Sequence, residues 1–514
     1  MHANRRHAER ARRRRLLTAV VAPALLLAAC VGSGVPDPQG GGIGGDGLGS
    51  LPDVTTTTEG PRECRPMPIV DVIPPVEDAA AATIVLSKAI YPCADRVVVS
   101  LASRPLLRQA ADQAIAAGAA LLVVDAQPTA AQQQEIQRLS PEQVLVYGVD
   151  PAQVAGPWET VDGTAADPGD PSEEALTTDQ VWLVGEDRTL ALAVAPAAAA
   201  TGSTLVSVDA ADLRGADGDD IGRITQAGSV LLIGAFGPDA MWQLDVVRSG
   251  VEIPGGGHLM FPGRRLVALY GSPDTPPLGV LGEQGVAASV TRARDLAAGY
   301  ETGDGTTVVA AFDLIASVAS ASAGADGDYS AELSLDTIRP WVDAAAEAGI
   351  YVVLDLQPGR TDFLTQAKSY EELLALPHVG LALDPEWRLK PDQVHLRQVG
   401  TVTGAEVNTV VDWLAGIVRE ERLPQKLFIV HQFKLAMITE RETIRTPPEL
   451  AVVIQMDGQG PLPSKYGTYD ALTVGTDGVG WRWGWKNFYD EDSPTATPAE
   501  VLAVEPQPVF ISYQ

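Results

Sequence analysis

Eight short apolar runs in the second half of the chain most constrain what this sequence can fold into. They lie at Leu266 to Tyr270, Val308 to Asp313, Tyr351 to Leu356, Val379 to Asp384, Leu427 to Gln432, Leu450 to Met456, Ala471 to Gly475 and Val509 to Ser512. Runs of this length rich in Val, Ile and Leu are typical of strands buried on both faces of a parallel sheet. Eight such strands alternating with helices over about 250 residues predict a TIM-type (β/α)8 barrel across residues 259 to 514. Its last helices are poorly marked, so the barrel is either complete or distorted there.

Helical segments separate several of these runs. Between Val407 and Val418 apolar residues recur at helical spacing, and Thr403 with Glu406 predicts a capping box at the start of that helix. Two more helices are predicted from Ala287 to Tyr300 and from Asp336 to Ala348, and Gly349 ends the second.

The segment before the barrel repeats itself. Asp95 and Asp179 stand 84 residues apart, as do Gly118 and Gly202, and Asp125 and Asp209. The apolar runs that begin at Val144 and Val230 stand 86 residues apart. This constant spacing predicts a duplicated α/β domain over residues 63 to 258, made of two Rossmann-like β-α-β units with parallel strands.

The order of elements in each unit resembles the cell-wall-binding repeat type 2 family of Gram-positive surface proteins. The resemblance covers roughly residues 81 to 250, where each unit ends a strand in a glycine, Gly148 or Gly234. It implies that the units bind cell-wall or surface polysaccharide. A purely structural spacer is the alternative.

The amino terminus predicts export. Seven arginines between Arg5 and Arg15 precede an apolar run from Leu16 to Leu27, and Ala28, Ala29 and Cys30 follow. That order is a secretion signal, and the run is short for a membrane span, which needs about 20 residues. The end of the run resembles the lipobox of bacterial lipoproteins. The resemblance implies a signal peptide over residues 1 to 29 and a lipid on Cys30 that anchors the chain to the outer face of the cell membrane. An ordinary membrane anchor or a plain secretory signal is the alternative, and both the general and the twin-arginine export routes stay open.

Residues 30 to 62 predict a flexible tether rich in Gly, Pro and Thr. The whole chain carries a formal net charge of −29; cleavage before Cys30 removes seven Arg and one Glu and leaves −35. Such an acidic surface repels phosphates and excludes nucleic acid as a partner. Cys64 and Cys93 are the two cysteines left after lipidation, and in an oxidising compartment they predict a disulfide rather than a two-cysteine metal site.

A barrel places its chemistry at the carboxyl ends of its strands. Polar residues collect at these predicted ends: Tyr270, Asp313, Asp355, Gln357, Asp384, Glu386, His431, Gln432, Gln455, Asp457 and Asp477. Any one of them could be a helix cap or a loop acid, but the collective pattern predicts a substrate-binding site.

The Asp384-Pro385-Glu386-Trp387 segment is the most specific part of this pattern. Side chains two apart on a strand point the same way, so both carboxylates are expected to face one site. Each raises the proton affinity of the other, which suits an acid catalyst. The pair resembles the carboxylates that end the fourth strand in chitinase-type and muramidase-type barrel glycosidases. The resemblance implies that Glu386 is the catalytic proton donor and that Asp384 tunes it.

Aromatic residues favour a sugar ligand. Trp387 follows the acids, and Trp481, Trp483 and Trp485 lie close together near the end of the chain. Sugar rings stack on indoles, so Trp387, Trp481 and Trp483 are predicted to bind substrate. The alternative is that Trp481, Trp483 and Trp485 only pack where the barrel closes.

The sequence therefore predicts a glycoside hydrolase-like lipoprotein of the cell envelope that acts on surface polysaccharide without a cofactor. A non-catalytic glycan-binding surface protein is one alternative. A metal-dependent hydrolase is another, with Asp384, Glu386, His431 and Asp457 as ligands. No Gly-x-Ser-x-Gly elbow supports a serine nucleophile.

Overall fold

A computed structural model describes residues 64–69, 76, 78–166, 176–209, 211–476 and 478–514. The predicted signal peptide, Cys30, the tether up to Arg62 and the predicted site residue Asp477 lie outside them. Within the described residues, no helix is both long enough and apolar enough to cross a membrane.

The amino-terminal part contains two parallel sheets. The first has the strand order β2-β1-β3-β4 and consists of β1 (Arg96–Ser100), β2 (Ala120–Val123), β3 (Gln143–Tyr147) and β4 (Glu159–Asp162). The second has the order β6-β5-β7 and consists of β5 (Gln180–Val184), β6 (Thr204–Ser207) and β7 (Ser229–Ile233). The helices of this part are α1 (Ala79–Ile90), α2 (Arg104–Ala116), α3 (Ala130–Leu139), α4 (Arg188–Thr201), α5 (Gly218–Gln226) and α6 (Ala240–Ser249).

The two sheets share one apolar core. Val97 and Val99 of β1 belong to the same buried cluster as Trp182 and Val184 of β5. The predicted disulfide is confirmed: Cys64 and Cys93 are bonded, and their Cα atoms are 4.9 Å apart. It ties the segment before α1 to the segment before β1.

The second part is a closed barrel of eight parallel strands, as predicted. Its strands are β8 (Arg264–Gly271), β9 (Thr307–Ala319), β11 (Tyr351–Leu356), β12 (Val379–Leu383), β14 (Lys426–Gln432), β16 (Leu450–Met456), β17 (Arg482–Asn487) and β18 (Phe510–Tyr513). Pairing of β8 with both β18 and β9 closes the ring. Short strand β10 (Ser330–Glu332) extends the end of β9 antiparallel, and β13 (Val402–Thr403) pairs with β15 (Ile438–Thr439) outside the barrel.

Helices surround the barrel. They are α7 (Val286–Ala298), α8 (Leu335–Ala348), α9 (Phe363–Ser369), α10 (Glu371–Leu374), α11 (Gly404–Glu420), α12 (Leu462–Thr473) and α13 (Pro498–Leu502). The connection from β14 to β16 has 3-10 turns where the regular pattern would have an α-helix. The barrel is therefore closed in its strands and irregular in its helical layer.

Period-two alternation divides the strand residues between two cores. Ala268, Ala311, Val353 and Ile429 face the interior, which Phe261 and its neighbours fill at the amino ends. The alternate residues pack against the helices in a larger cluster. Each strand is thus buried on both faces, which is why the strands read as continuous apolar runs.

The predicted seventh strand is wrong. Residues 471 to 473 end helix α12, in which Tyr469 and Leu472 are buried three residues apart. The strand at this place is β17, where Trp483 and Trp485 alternate with Gly484 and Lys486. The aromatic cluster therefore supplies a barrel strand, a role that a run chosen for aliphatic residues alone could not reveal.

Candidate functional site

One row of polar side chains crosses the interior at the carboxyl ends of the barrel strands. Every second residue of a strand faces the barrel interior. Towards the amino ends these inward residues are apolar, and towards the carboxyl ends they are Tyr270, Asp313, Asp355, His431, Gln455, Lys486 and Ser512. Asp384 directly follows β12, and Asp457 directly follows β16. The structure thus brings together residues from all eight strands of the barrel.

The deepest members are Asp313, Asp355 and His431. All three are completely buried, and one ligand-type atom from each lies within 4.8 Å of the others. Neither carboxylate oxygen of Asp313 has a hydrogen-bond partner among the described residues, and the same holds for Oδ1 of Asp355. Oδ2 of Asp355 accepts a hydrogen bond of 2.9 Å from the hydroxyl of Tyr270.

His431 lies between two carboxylates. Its Nε2 is 3.8 Å from Oδ2 of Asp355, and its Nδ1 is 3.5 Å from Oδ2 of Asp457. Burial opposes a charged imidazole, but Asp355 and Asp457 outweigh it and raise the pKa of His431 above its usual value.

A second group of carboxylates lies nearer the solvent. Asp384, Glu386 and Asp457 each place one oxygen within 4.8 Å of the others. The strand ends at Leu383, and residues Pro385–Trp387 form a 3-10 turn, so the expectation that both acids stand on one extended strand is wrong. The turn brings the two carboxylates together in another way. Asp384 is 2 % exposed, whereas Glu386 is only partly buried.

Burial and mutual repulsion keep protons on these acids. Burial, with Asp457 as the foremost charged neighbour, raises the pKa of Glu386 to about 7. Burial and then Glu386 raise the pKa of Asp384 well above its ordinary value. Burial and then Asp355 raise the pKa of Asp313 to about 7. Protons are therefore shared among neighbouring acids near neutral pH, as in other closely spaced carboxyl pairs.

Lys486 and Ser512 complete the row and were missed from the sequence. The ammonium nitrogen of Lys486 lies over the Tyr270 ring. This cation partly offsets the rise in the pKa of Glu386 and of Asp313. Ser512 accepts a hydrogen bond of 2.6 Å from Nε2 of Gln455. A period-two reading of residues 482 to 487 would have found Lys486, since it alternates with the outward tryptophans.

Other predicted residues lie at the edge of the site or away from it. Gln357 donates a hydrogen bond of 3.3 Å to the Tyr270 hydroxyl, so it supports the site from its rim. Trp387 is half-buried and packs edge-on against His395, with ring centres 5.2 Å apart. Gln432 turns away from the interior and accepts a hydrogen bond from Arg441.

The tryptophans near the carboxyl terminus do not reach the site. Trp481 and Trp483 are 6 % and 5 % exposed and belong to the outer core between strands and helices. Tyr469 packs against Trp483, and the Arg441 guanidinium lies over both indoles. Sugar stacking on these two side chains is not supported by their placement, which matches the alternative that they close the barrel.

The described cavity and the ionisable side chains lie at opposite ends of the barrel. A cavity lined by Ala297, Val308 and Gly349 lies near the amino ends of β9 and β11. Arg294 and Glu301 also line this cavity, whereas the buried carboxylates that have no hydrogen-bond partner among the described residues lie at the carboxyl ends. We place the candidate site at the carboxyl ends, because a site is recognised by ionisable side chains with shifted pKa values rather than by the volume of a cavity.

No known protein family matches the chain, and no curated protein matches its sequence.

Proposed function

We propose that the protein is a cell-envelope glycoside hydrolase whose barrel acts on cell-surface polysaccharide, with Glu386 as the proton donor. The observation that carries the proposal is the position and the raised pKa of Glu386. It is a partly exposed carboxyl group with a pKa of about 7, placed beside two more acids at the carboxyl end of the barrel. Cleavage of a glycosidic bond requires a protonated acid with a second carboxyl group near it.

In the proposed reaction Glu386 gives its proton to the glycosidic oxygen as the bond from that oxygen to the anomeric carbon breaks. The anomeric carbon gains positive charge, which the neighbouring Asp457 stabilises. Water adds to the anomeric carbon and returns a proton to Glu386. Substrate approaches from the side of Glu386, because Glu386 is partly exposed and Asp384 is almost fully buried.

The direct test compares Glu386→Gln with wild type on isolated envelope polysaccharide, with release of new reducing ends as the measurement. Loss of general acid catalysis lowers the rate by about 10²- to 10⁴-fold. Glu371→Gln is the matched control, because Glu371 is exposed on α10. Unchanged turnover in Glu386→Gln would remove the proposed acid. Binding of polysaccharide by wild type with no turnover would favour the non-catalytic alternative.

We propose further that a lipid on Cys30 anchors the chain to the outer face of the cell membrane. The basic stretch, the short apolar run and the small residues before Cys30 support this. In cells fed a labelled fatty acid, the wild type should carry label and sediment with membranes. Cys30→Ser should lose both, and a labelled Cys30→Ser protein would contradict the proposal.

We also propose that residues 63 to 258 are a duplicated pair of Rossmann-like units that hold the barrel at the cell wall. The 84-residue spacing supports duplication, and so does the strand order, because β1 and β5 are each flanked by the next two strands of their own sheet. Glu386→Gln should then sediment with purified cell walls as well as wild type does. Failure of both proteins to sediment would favour a spacer.

A further inference from the structure

We propose that Asp313, Asp355 and His431 form a binding site for one divalent transition-metal ion, of the Mn²⁺ or Zn²⁺ class, beneath the acids of the proposed catalytic site. The proposal goes beyond the glycosidase proposal, because ion binding is measured without substrate and does not involve Glu386.

Unused ligand atoms support the site. Asp313 is completely buried and neither of its oxygens has a hydrogen-bond partner in the described part of the chain. Oδ1 of Asp355 and Nε2 of His431 are likewise buried without a hydrogen bond to any described residue. Buried polar groups in folded proteins nearly always have a partner, so a cluster of buried ligand atoms with free lone pairs favours binding of an ion.

The three side chains converge on one point. Their ligand atoms lie within 4.8 Å of one another, and they come from β9, β11 and β14 on the same side of the barrel interior. Ligands of a single Zn²⁺ at about 2.1 Å stand roughly 3 to 3.4 Å apart. A small inward movement of the side chains would therefore close them on an ion.

Charge balance favours a cation here. Five carboxyl groups share this end of the barrel: Asp313, Asp355, Asp384, Glu386 and Asp457. Lys486 is a cation that acts on them, whereas His431 is neutral when it binds a metal ion. A bound divalent ion would take the place of protons that these buried acids otherwise hold, because it offsets the cost of burying their charged forms.

His431 has the orientation of a metal ligand. Its Nε2 is on the side of Asp355, while its Nδ1 is 3.5 Å from Asp457. A histidine ligand commonly presents one nitrogen to the metal and holds the other against a carboxylate that fixes the ring. Asp457 is thus assigned as the positioning residue for His431.

The donor set indicates the class of ion. Two carboxylates and one imidazole suit Mn²⁺ or Zn²⁺, whereas Ca²⁺ and Mg²⁺ prefer oxygen alone. Asp326, Asp328 and Glu332 also lie close together, but we do not assign a metal site to them. Their carboxylates already accept hydrogen bonds, for example Asp328 from Thr361 and Glu332 from Gln366.

The test is equilibrium dialysis of chelator-stripped protein against Mn²⁺ and against Zn²⁺, with bound metal measured by mass spectrometry. We expect about one ion per chain. Asp457→Asn should weaken binding by about 10- to 100-fold, as loss of a ligand-orienting carboxylate does. Asp313→Asn and His431→Gln should weaken it further, and Asp326→Asn, in the exposed acidic loop, is the matched control that should not. Glu386→Gln should also keep the ion, which separates this proposal from the glycosidase proposal.

Two results would overturn the site. One is wild-type protein that binds neither ion. The other is binding that survives both Asp313→Asn and His431→Gln. Should these variants fail to fold, the electron spin echo spectrum of Mn²⁺-loaded wild type decides, since coordination by His431 requires coupling to an imidazole nitrogen.

Discussion

The ammonium nitrogen of Lys486 lies 3.3 Å from the centre of the Tyr270 ring. A cation over an aromatic face is attracted by the ring's electron density, and the attraction grows when water is excluded. Lys486 is 4 % exposed and Tyr270 is 2 % exposed, so the pair is desolvated. The ring therefore fixes a positive charge among the acids of the candidate site.

This fixed charge predicts opposite pH shifts in two variants. Glu386, with a pKa of about 7, is protonated below that pH, so activity that needs its proton should fall as pH rises through about 7. Lys486 lowers the pKa of Glu386 and Asp457 raises it. Lys486→Met should therefore move the falling limb to higher pH, and Asp457→Asn should move it to lower pH. The measurement is the pH profile of kcat/KM.

The profiles are measured in chelator, so that loss of the proposed ion in Asp457→Asn does not contribute. The other titratable groups around Glu386, which are Asp384, Asp355 and His431, are the same residues in both variants. Lys368→Met is the matched control, because Lys368 is exposed on α9. Shifts of the same sign in Lys486→Met and Asp457→Asn would show that Glu386 is not the group that titrates.

The hydroxyl of Tyr270 is predicted to stabilise buried Asp355. It donates a hydrogen bond of 2.9 Å to Oδ2, and Oδ1 has no hydrogen-bond partner among the described residues. Tyr270→Phe should lower the free energy of unfolding by about 1–3 kcal/mol, because it leaves a buried carboxyl group without a donor. Urea unfolding in the presence of chelator measures this. Tyr489→Phe, at an exposed ring, is the control, and equal losses in the two variants would contradict the prediction.

The Cys64–Cys93 disulfide closes a segment with a sequence separation of 29. Constraining a loop of that length in the unfolded chain stabilises the fold by about 3–4 kcal/mol. Replacement of both cysteines by Ser should lower the free energy of unfolding by about this amount. Reductant should destabilise wild type and leave the double variant unchanged, and a wild type insensitive to reductant would argue against the estimate.

Trp242 is predicted to hold the amino-terminal part against the barrel. Its ring centre is 4.7 Å from the guanidinium carbon of Arg214 and 4.5 Å from that of Arg419 on α11. Arg214 also donates to the Pro448 carbonyl at 2.8 Å. Trp242→Ala should remove both cation–π contacts, each worth about 0.5–2 kcal/mol.

The expected result is faster amide hydrogen exchange in α6 and α11 with unchanged exchange in the barrel strands. Met241→Ala is the matched control, since Met241 is 63 % exposed next to Trp242. Exchange that speeds equally in the barrel strands would indicate general destabilisation rather than loss of docking.

Most of the barrel could be predicted because its strands are buried on both faces and therefore read as continuous apolar runs. Strand β17 could not, since Trp483 and Trp485 alternate with Gly484 and Lys486 and break that pattern. The capping prediction was half confirmed. Thr403 accepts from the Glu406 amide, but the Glu406 side chain bonds to Arg388, a residue that only the folded chain brings near.

The closed parallel barrel and the pairing of Cys64 with Cys93 follow from the amino-acid sequence, because strand burial and cysteine number are local or compositional properties. Asp355 and His431 lie next to last in β11 and β14, as their predicted strand ends require. The predicted end of the second strand at Asp313 is wrong, because β9 continues to Ala319 and pairs there with β10. Folding brings these three side chains together, leaves both oxygens of Asp313 without a hydrogen-bond partner among the described residues, and turns Trp481 and Trp483 outward. Which side chains share the interior depends on strand register and on closure of the ring, and both arise from contacts between residues far apart in the chain.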